Sequence, residues 1–390
     1  MVTSTQSTEL ANRPKAGLAV KHYFRSLKDP RRRHRRRHML GDIIVIAVCA
    51  VICGANDWKQ IATFGQKRFA WLKRFLELPN GIPSHDTFER VFARIDPLAF
   101  QACFRGWITA VCDALDVKHI AIDGKTLRRS GSAALKPLHV VSAWATANQI
   151  ILGQLAVAEK SNEIPAIPEL LELFSVKGAF VTIDAMGCQK DIARAIVEKG
   201  GDYVLTVKDN QPNLLADIQK CIDEALANNM AGIRHDQHAT EDKDHGRIEK
   251  RSYLIIEDPE GIRNKGDWKK MNIIGMCYSE RTVAGKTSTE TRYFIGSRKA
   301  SARTYGKVLR HHWSVENNLH WQLDINFGED DSRIRERTAA DNFAVLRRVA
   351  LSLLKQHPEK ASIACKRLAA ALDSDFLEEI LRGVDRTEKR

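Results

Sequence analysis

Two aspartates stand at the ends of two short apolar runs. His119-Ile120-Ala121-Ile122-Asp123-Gly124 and Gly178-Ala179-Phe180-Val181-Thr182-Ile183-Asp184 each read as a buried strand that terminates in an acid. Carboxylates brought together repel unless they share a proton or a cation. Oxygen ligands of this kind suit Mg²⁺ or Mn²⁺ rather than zinc. A third acid has a different setting. His312, Glu316 and His320 recur at i, i+4 and i+8, on one face of a predicted helix. Val315 and Leu319 beside them supply an apolar edge that would pack on a sheet, where a glutamate needs a partner. A cation shared with Asp123 and Asp184 would be one. Taken singly, each aspartate is also explained by turn chemistry, and Glu316 with His320 by an ordinary helix-surface pair. Two other clusters carry less. His235, Asp236, His238 and His245 have no cysteine beside them and read as a solvated loop. Asp330 and Asp331, after Glu329, fall beyond the helix in a charged loop.

The elements that must position the acids follow from the hydrophobic period. Strands are predicted at 119–124, 138–147, 149–159, 178–184 and 202–207, with helices at 164–174 and 191–199. Three consecutive strands followed by βαβ crossovers is the order of a ribonuclease-H-like fold. If the first and fourth strands are neighbours, both aspartates face the crevice where open α/β sheets place ligands. Residues 208–231 continue as helix and linker. Residues 232–298 alternate with period two and read as a β-rich insertion, and the helical period resumes after Ser301. The first 115 residues are helical throughout: 40–76 at helical spacing, a break at Pro79-Asn80-Gly81, a capped helix start at Ser84, and a further helix from Phe100. The expected class is α/β: a basic all-α module at 1–115, a ribonuclease-H-like core in two parts at 116–231 and 299–360 around the insertion at 232–298, and a helical tail at 361–390.

Charge and composition narrow the partners. The chain of 390 residues carries a net charge of +13, and residues 1–100 alone hold +10 of it. Such an excess favours a polyanion, nucleic acid before an anionic membrane surface. It peaks in Arg31-Arg32-Arg33-His34-Arg35-Arg36-Arg37-His38, where six arginines repel one another unless phosphates or counterions lie close. A DNA-backbone contact is expected there; a solvated turn or a nuclear-import signal has the same pattern. The longest apolar run, Ile43 to Cys53, is 11 residues, and a membrane span takes about 20. None of the eight cysteines forms a C-x-x-C pair. With a polar start at Met1 to Leu10, these features point to a reduced, cytoplasmic protein without disulfides or zinc.

Several short stretches, in their order and spacing, carry a resemblance. They are Leu40-Gly41-Asp42, Gly81-Ile82-Pro83-Ser84-His85-Asp86-Thr87-Phe88, Ile122-Asp123-Gly124-Lys125, Lys160-Ser161-Asn162-Glu163-Ile164 and Ile183-Asp184-Ala185-Met186-Gly187. Lys208-Asp209-Asn210-Gln211, His245-Gly246-Arg247-Ile248-Glu249 and His312-Trp313-Ser314-Val315-Glu316-Asn317 complete the set. Between about Lys21 and Gln356 the chain resembles the DDE transposases of bacterial insertion sequences, in the ISAs-type group that includes the H-repeat-associated proteins. The resemblance implies that Asp123, Asp184 and Glu316 are the metal-binding, catalytic acids. It implies two Mg²⁺ (or Mn²⁺) ions, one activating a water for attack on a phosphodiester and one stabilising the leaving 3′-oxygen. The freed 3′-hydroxyl would then attack target DNA. Related enzymes carry Tyr, Arg and Lys around the glutamate, at places held here by Leu309, His312 and Leu323. His312 would stand in for the arginine, and His320, Arg333 and Arg335 are the expected substitutes for the rest. Lys125, beside the first acid, is also expected to meet DNA. The implied partners are element-end and target DNA and at least a second copy of the chain, acting at the bacterial nucleoid. A ribonuclease-H-like nuclease or domesticated repair protein, and a DNA-binding protein that no longer cuts, share the same residues.

Overall fold

The computed structural model describes residues 21–111, 117–131, 135–157, 163–244 and 246–382. Met1 to Leu10, the end of the third predicted strand, the Lys160-Ser161-Asn162 stretch and His245 lie outside the described residues. The N-terminal part forms α1 (Leu40–Ile52), α2 (Trp58–Lys67), α3 (Phe69–Leu72), α4 (His85–Phe92) and α5 (Pro97–Val111). Helix α1 has no polar face, and every residue from Asp42 to Ile52 is buried. Its one charged side chain, Asp42, is satisfied by Lys21 Nζ at 2.8 Å and by the Leu78 backbone N–H at 3.0 Å. Helix α4 begins after Ser84 as expected, but the serine hydroxyl meets Thr87 Oγ1 at 3.1 Å rather than capping a backbone N–H. Helix α5 starts at Pro97, not Phe100. Proline fits the first helical position, and Asp96 caps the helix by accepting from Leu98 N at 2.9 Å.

Beyond this lie β1 (His119–Leu127), β2 (Leu138–Ala145), β3 (Ile150–Val157), α6 (Glu163–Leu171), β4 (Phe180–Ile183), α7 (Lys190–Glu198), β5 (Asp202–Val207) and α8 (Pro212–Ala227). The β-rich stretch supplies β6 (His235–Asp244), β7 (Arg247–Glu257), β8 (Ile273–Val283) and β9 (Lys286–Gly296). Among the described residues these nine strands join one sheet in the order β3-β2-β1-β4-β5-β9-β8-β7-β6. β1, β4 and β5 are parallel, and β9 pairs antiparallel with β5 from Val204↔Gly296 to Val207↔Tyr293. The β6–β9 meander therefore extends the central sheet instead of standing apart from it. His235 and His238 lie in strand β6, not in a loop. Asp236 between them accepts the Ala302 N–H at 2.8 Å, and His238 stacks on Tyr253.

Helices cover both faces of the sheet. Helices α6, α7 and α8 share one core with Ile120, Ile122, Val181, Ile183 and Leu205. On the other face lie α9 (Ala302–Val315), a π turn (Glu316–His320), α10 (Trp321–Phe327) and α11 (Arg337–Gln356), with α12 (Ile363–Leu372) and α13 (Ser374–Arg382) following. Helix α11 is buried along most of its length and shares a single core with α1, α2, α4 and α5. The N-terminal helices thus pack directly on the part of the chain that closes the sheet. A fully buried ion pair, Arg348 to Glu329 at 2.6 Å, ties the loop after α10 to α11. Among the described residues no helix is long and apolar enough to cross a membrane.

Candidate active site

Side chains alternate between the faces of a strand, so register decides which residues can meet. Ile120 and Ile122 point into the α6–α7 core, which turns His119, Ala121 and Asp123 towards α9. Val181 and Ile183 of β4 point the same way as Ile120 and Ile122, which turns Phe180, Thr182 and Asp184 towards α9. The parallel β1–β4 ladder pairs Ala121 with Thr182 and ends at Ile122↔Ile183. Asp123 and Asp184 are the next residues on each strand. β1 itself runs on to Leu127, so Asp123 closes the parallel ladder rather than the strand. Nor does Gly124 make a turn. A Cβ there would lie 2.5 Å from His139 Nε2 and 2.6 Å from Glu163 Oε1, so glycine is required by the close approach of that buried pair behind the strand. The second acid is fixed differently. Asp184 accepts from the backbone N–H groups of Met186 at 3.1 Å and Gly187 at 3.4 Å, in a 3₁₀ turn that needs glycine at 187 because Ile183 lies against it.

Four residues of helix rise about 6 Å, close to the advance of two strand residues. Helix α9 therefore sets His312 over Thr182 (Nδ1 to Oγ1, 3.0 Å) and Glu316 over the aspartates. Asp123, Asp184, His312 and Glu316 line one cleft of about 240 Å³ together with Thr206, Lys208, Arg292 and Trp313. Glu316 opens the π turn, an insertion into helical geometry that recurs at functional sites. That turn alters the simple i, i+4, i+8 stripe, yet His320 still comes beneath Glu316. Its Nδ1 lies 3.6 Å from Glu316 Oε2 and 3.5 Å from Asp123 Oδ2, and its Nε2 is buried with no partner among the described residues. The glutamate is not held at a buried edge: its side chain is 71% exposed, at the mouth of the cleft.

The acids respond to this setting in opposite directions. Burial, reinforced by Asp184 and Glu316, pushes the Asp123 carboxyl up to about 6 against the pull of His320 and the Gly124 N–H. Glu316 is held below its ordinary value, first by its hydrogen bond with His320 and then by Lys125 and His312. Atoms of Asp123, Glu316 and His320 lie within 4.8 Å of one another, close enough to surround one ion. Crowded carboxylates whose repulsion protein cations relieve only in part fit a hard divalent cation.

The expected DNA contacts divide. Arg32, Arg33, Arg35 and Arg37 are exposed. Arg31 is already engaged: it is clamped on Asp29 at 2.9 Å and on the His38 carbonyl at 2.8 Å. Arg36 leans back on the Asp29 and Arg31 carbonyls. Lys125, contrary to expectation, is not placed to meet DNA: it is buried with its ammonium between Asp324 (2.7 Å) and Asp330 (2.9 Å). His320 likewise faces inward on the acids. Arg333 and Arg335 are exposed on the loop before α11, outside the cleft lining. Leu323 is fully buried and offers nothing to the cleft. Two cations were missed. Lys208 stands exposed just past β5, and Arg292 on β9 lies over the Trp313 ring at 4.2 Å and pairs with Glu290. Asn210 and Gln211, next to Lys208, donate to the carbonyls of Ala185 (2.6 Å) and Cys188 (2.9 Å), lashing the β5 end to the turn that follows Asp184.

Comparison with known proteins gives the family. Residues 116–353 match the transposase DDE domain, and residues 21–108 match the domain described as DDE_Tnp_1-associated. The chain belongs to the DDE transposases. Its relatives include the H repeat-associated protein YhhI of Escherichia coli K12, 38% identical over 92% of this chain and 96% of that one. YncI of E. coli O157:H7 is 38% identical over 92% and 93% of the two chains. An uncharacterized protein of the dhlA 3′ region of Xanthobacter autotrophicus is 44% identical over 72% of this chain and 95% of its own. The transposase is thus a DNA-binding, DNA-cleaving and DNA-joining enzyme that depends on divalent metal, and the α/β class with a ribonuclease-H-like strand order holds.

Proposed function

We propose that the transposase cuts phosphodiester bonds at the ends of an insertion sequence and joins the freed 3′-hydroxyl to target DNA, with Asp123, Asp184 and Glu316 as its catalytic acids. One observation carries this reading: three acids from distant parts of the chain converge on one cleft that also holds Lys208, Arg292 and His312. Asp123, Asp184 and Glu316 would hold two Mg²⁺ or Mn²⁺ ions. Bound there, such ions would supply a water of lowered pKa and charge stabilisation for a leaving oxygen. The chain's own groups do the rest. Lys208 and Arg292 attract the DNA phosphate to the acidic edge and orient it, which favours in-line attack. The hydrogen bonds to Asp184 and the Gly124 N–H on Asp123 keep both carboxylates aimed before substrate arrives. His320 holds Asp123 and Glu316 in one grouping. The exposed arginines Arg32, Arg33, Arg35 and Arg37 supply backbone affinity without sequence choice. Two copies, one per element end, would act together.

The test is nicking of DNA that carries the element ends, in Mg²⁺ or Mn²⁺. Asp123→Asn abolishes cleavage and leaves DNA binding intact. Metal-dependent nicking that persists in this variant refutes the assignment, and a wild-type chain that binds but never nicks marks a silent relative.

A further inference from the structure

A chain of buried hydrogen bonds runs under the cleft. His119 Nδ1 meets Thr146 Oγ1 at 2.8 Å, His119 Nε2 meets Thr182 Oγ1 at 2.9 Å, and Thr182 Oγ1 meets His312 Nδ1 at 3.0 Å. His119, Thr146 and Thr182 are all buried. We infer that Thr182 and His119 are positioning residues that lock His312 in the tautomer with its proton on Nε2, so that it offers the cleft a neutral hydrogen-bond donor for a phosphate oxygen. The phosphate part of this inference rests on the proposed function; the tautomer does not.

The direction follows from counting protons. A threonine hydroxyl has one proton to give, and a neutral imidazole has one N–H and one acceptor nitrogen. Thr182 sits between two rings, so it donates to one and accepts from the other. Its only other hydrogen bond among the described residues, to the Ile120 carbonyl, is at 3.4 Å and weak. In one arrangement Thr146 donates to His119 Nδ1, His119 Nε2–H donates to Thr182, and Thr182 donates to His312 Nδ1. Every proton is then used, and His312 keeps its own on Nε2, the nitrogen left for the cleft it lines. In the reverse arrangement the Thr146 hydroxyl proton is buried with no acceptor among the described residues, which is unfavourable. The reverse also turns a bare lone pair towards a substrate whose phosphate oxygens are acceptors only. Both rings are held neutral. Burial is the main cause, taking His119 to about 3 and, with Arg292 beside it, His312 to about 4.

The tautomer is read directly by long-range ¹H–¹⁵N NMR of the full chain labelled with [¹⁵N]histidine, without metal or DNA at neutral pH. His312 is assigned by its loss in His312→Gln. The expected spectrum shows a protonated Nε2 and an acceptor Nδ1. Thr182→Val removes the hydroxyl at constant shape. It is expected to mix the two tautomers and to lower kcat for nicking about tenfold, the worth of one hydrogen bond, with a smaller change in KM. Thr182→Ser, which keeps the hydroxyl, restores both. A protonated Nδ1 in the wild type overturns the inference, and this spectrum decides it even if Thr182→Val fails to fold. A tautomer or kcat unchanged in Thr182→Val overturns it as well. A wild type that never nicks would instead sink the proposed function and leave the tautomer result standing.

Discussion

Replacing Asp123 by asparagine is expected to stabilise the metal-free protein at alkaline pH. The folded state holds this carboxyl at about 6, against an ordinary value of 3.8. A raised carboxyl pKa means that the folded chain keeps the proton longer than the unfolded chain. Wild-type stability therefore falls as pH rises from about 4 through 6, and the loss is complete above that window. A shift of about two units corresponds to about 3 kcal/mol, or roughly 4 °C in Tm for a chain of this length. The asparagine of the variant carries no charge and escapes the loss. Thermal melts of both proteins in EDTA should show the variant ahead at pH 8 and the gap shrunk to under about 1 kcal/mol near pH 4. Mn²⁺ added at pH 8 should raise the wild type, because it binds the folded state alone, and should raise the variant far less. A variant that melts below the wild type at pH 8, or whose advantage is equal at both pH values, would show that Asp123 is not buried and crowded by Asp184 and Glu316 as the geometry indicates.

Three further outcomes follow from particular residues. Gly124→Ala drives a methyl group into His139 and Glu163. It should cost about 1–3 kcal/mol, measured by thermal denaturation, and a neutral substitution would mean that the pair behind β1 is loose. Changing Arg32, Arg33, Arg35 and Arg37 to glutamine should weaken DNA binding and flatten its salt dependence, by up to roughly 0.9 in log–log slope per lost phosphate contact. Fluorescence anisotropy over a salt series reads this. Arg31→Gln should leave that slope unchanged and lower Tm instead, since Arg31 braces Asp29 and the His38 carbonyl.

The two aspartates were legible because each follows a short continuous apolar run, and because neighbouring parallel strands end at one edge. Glu316 was legible from its helical spacing with His312 and His320, although its exposure was not, since the π turn that presents it leaves no periodic mark. Lys208 and Arg292 could not be found in the same way. They share the cleft only because β9 pairs with β5, and long-range pairing is not written in either strand. Lys125 misled for a related reason. Its partners Asp324 and Asp330 come from a segment some 200 residues onward, so a lysine two residues past Asp123 looks free until the chain is folded. The arginine run showed the reverse: six like charges read as one patch, yet Arg31 was already committed to an aspartate two residues before it.

Because α1 and α11 are two walls of a single interior, the first helices of this transposase are not a detachable cassette. A chimaera that borrowed residues 21–111 from a relative would bring a mismatched inner surface to α11 unless the facing side chains travelled with it. Divergence among such proteins would thereby be steered outward, to the solvent side of those helices, with their hidden sides changing in concert with a segment more than two hundred residues downstream.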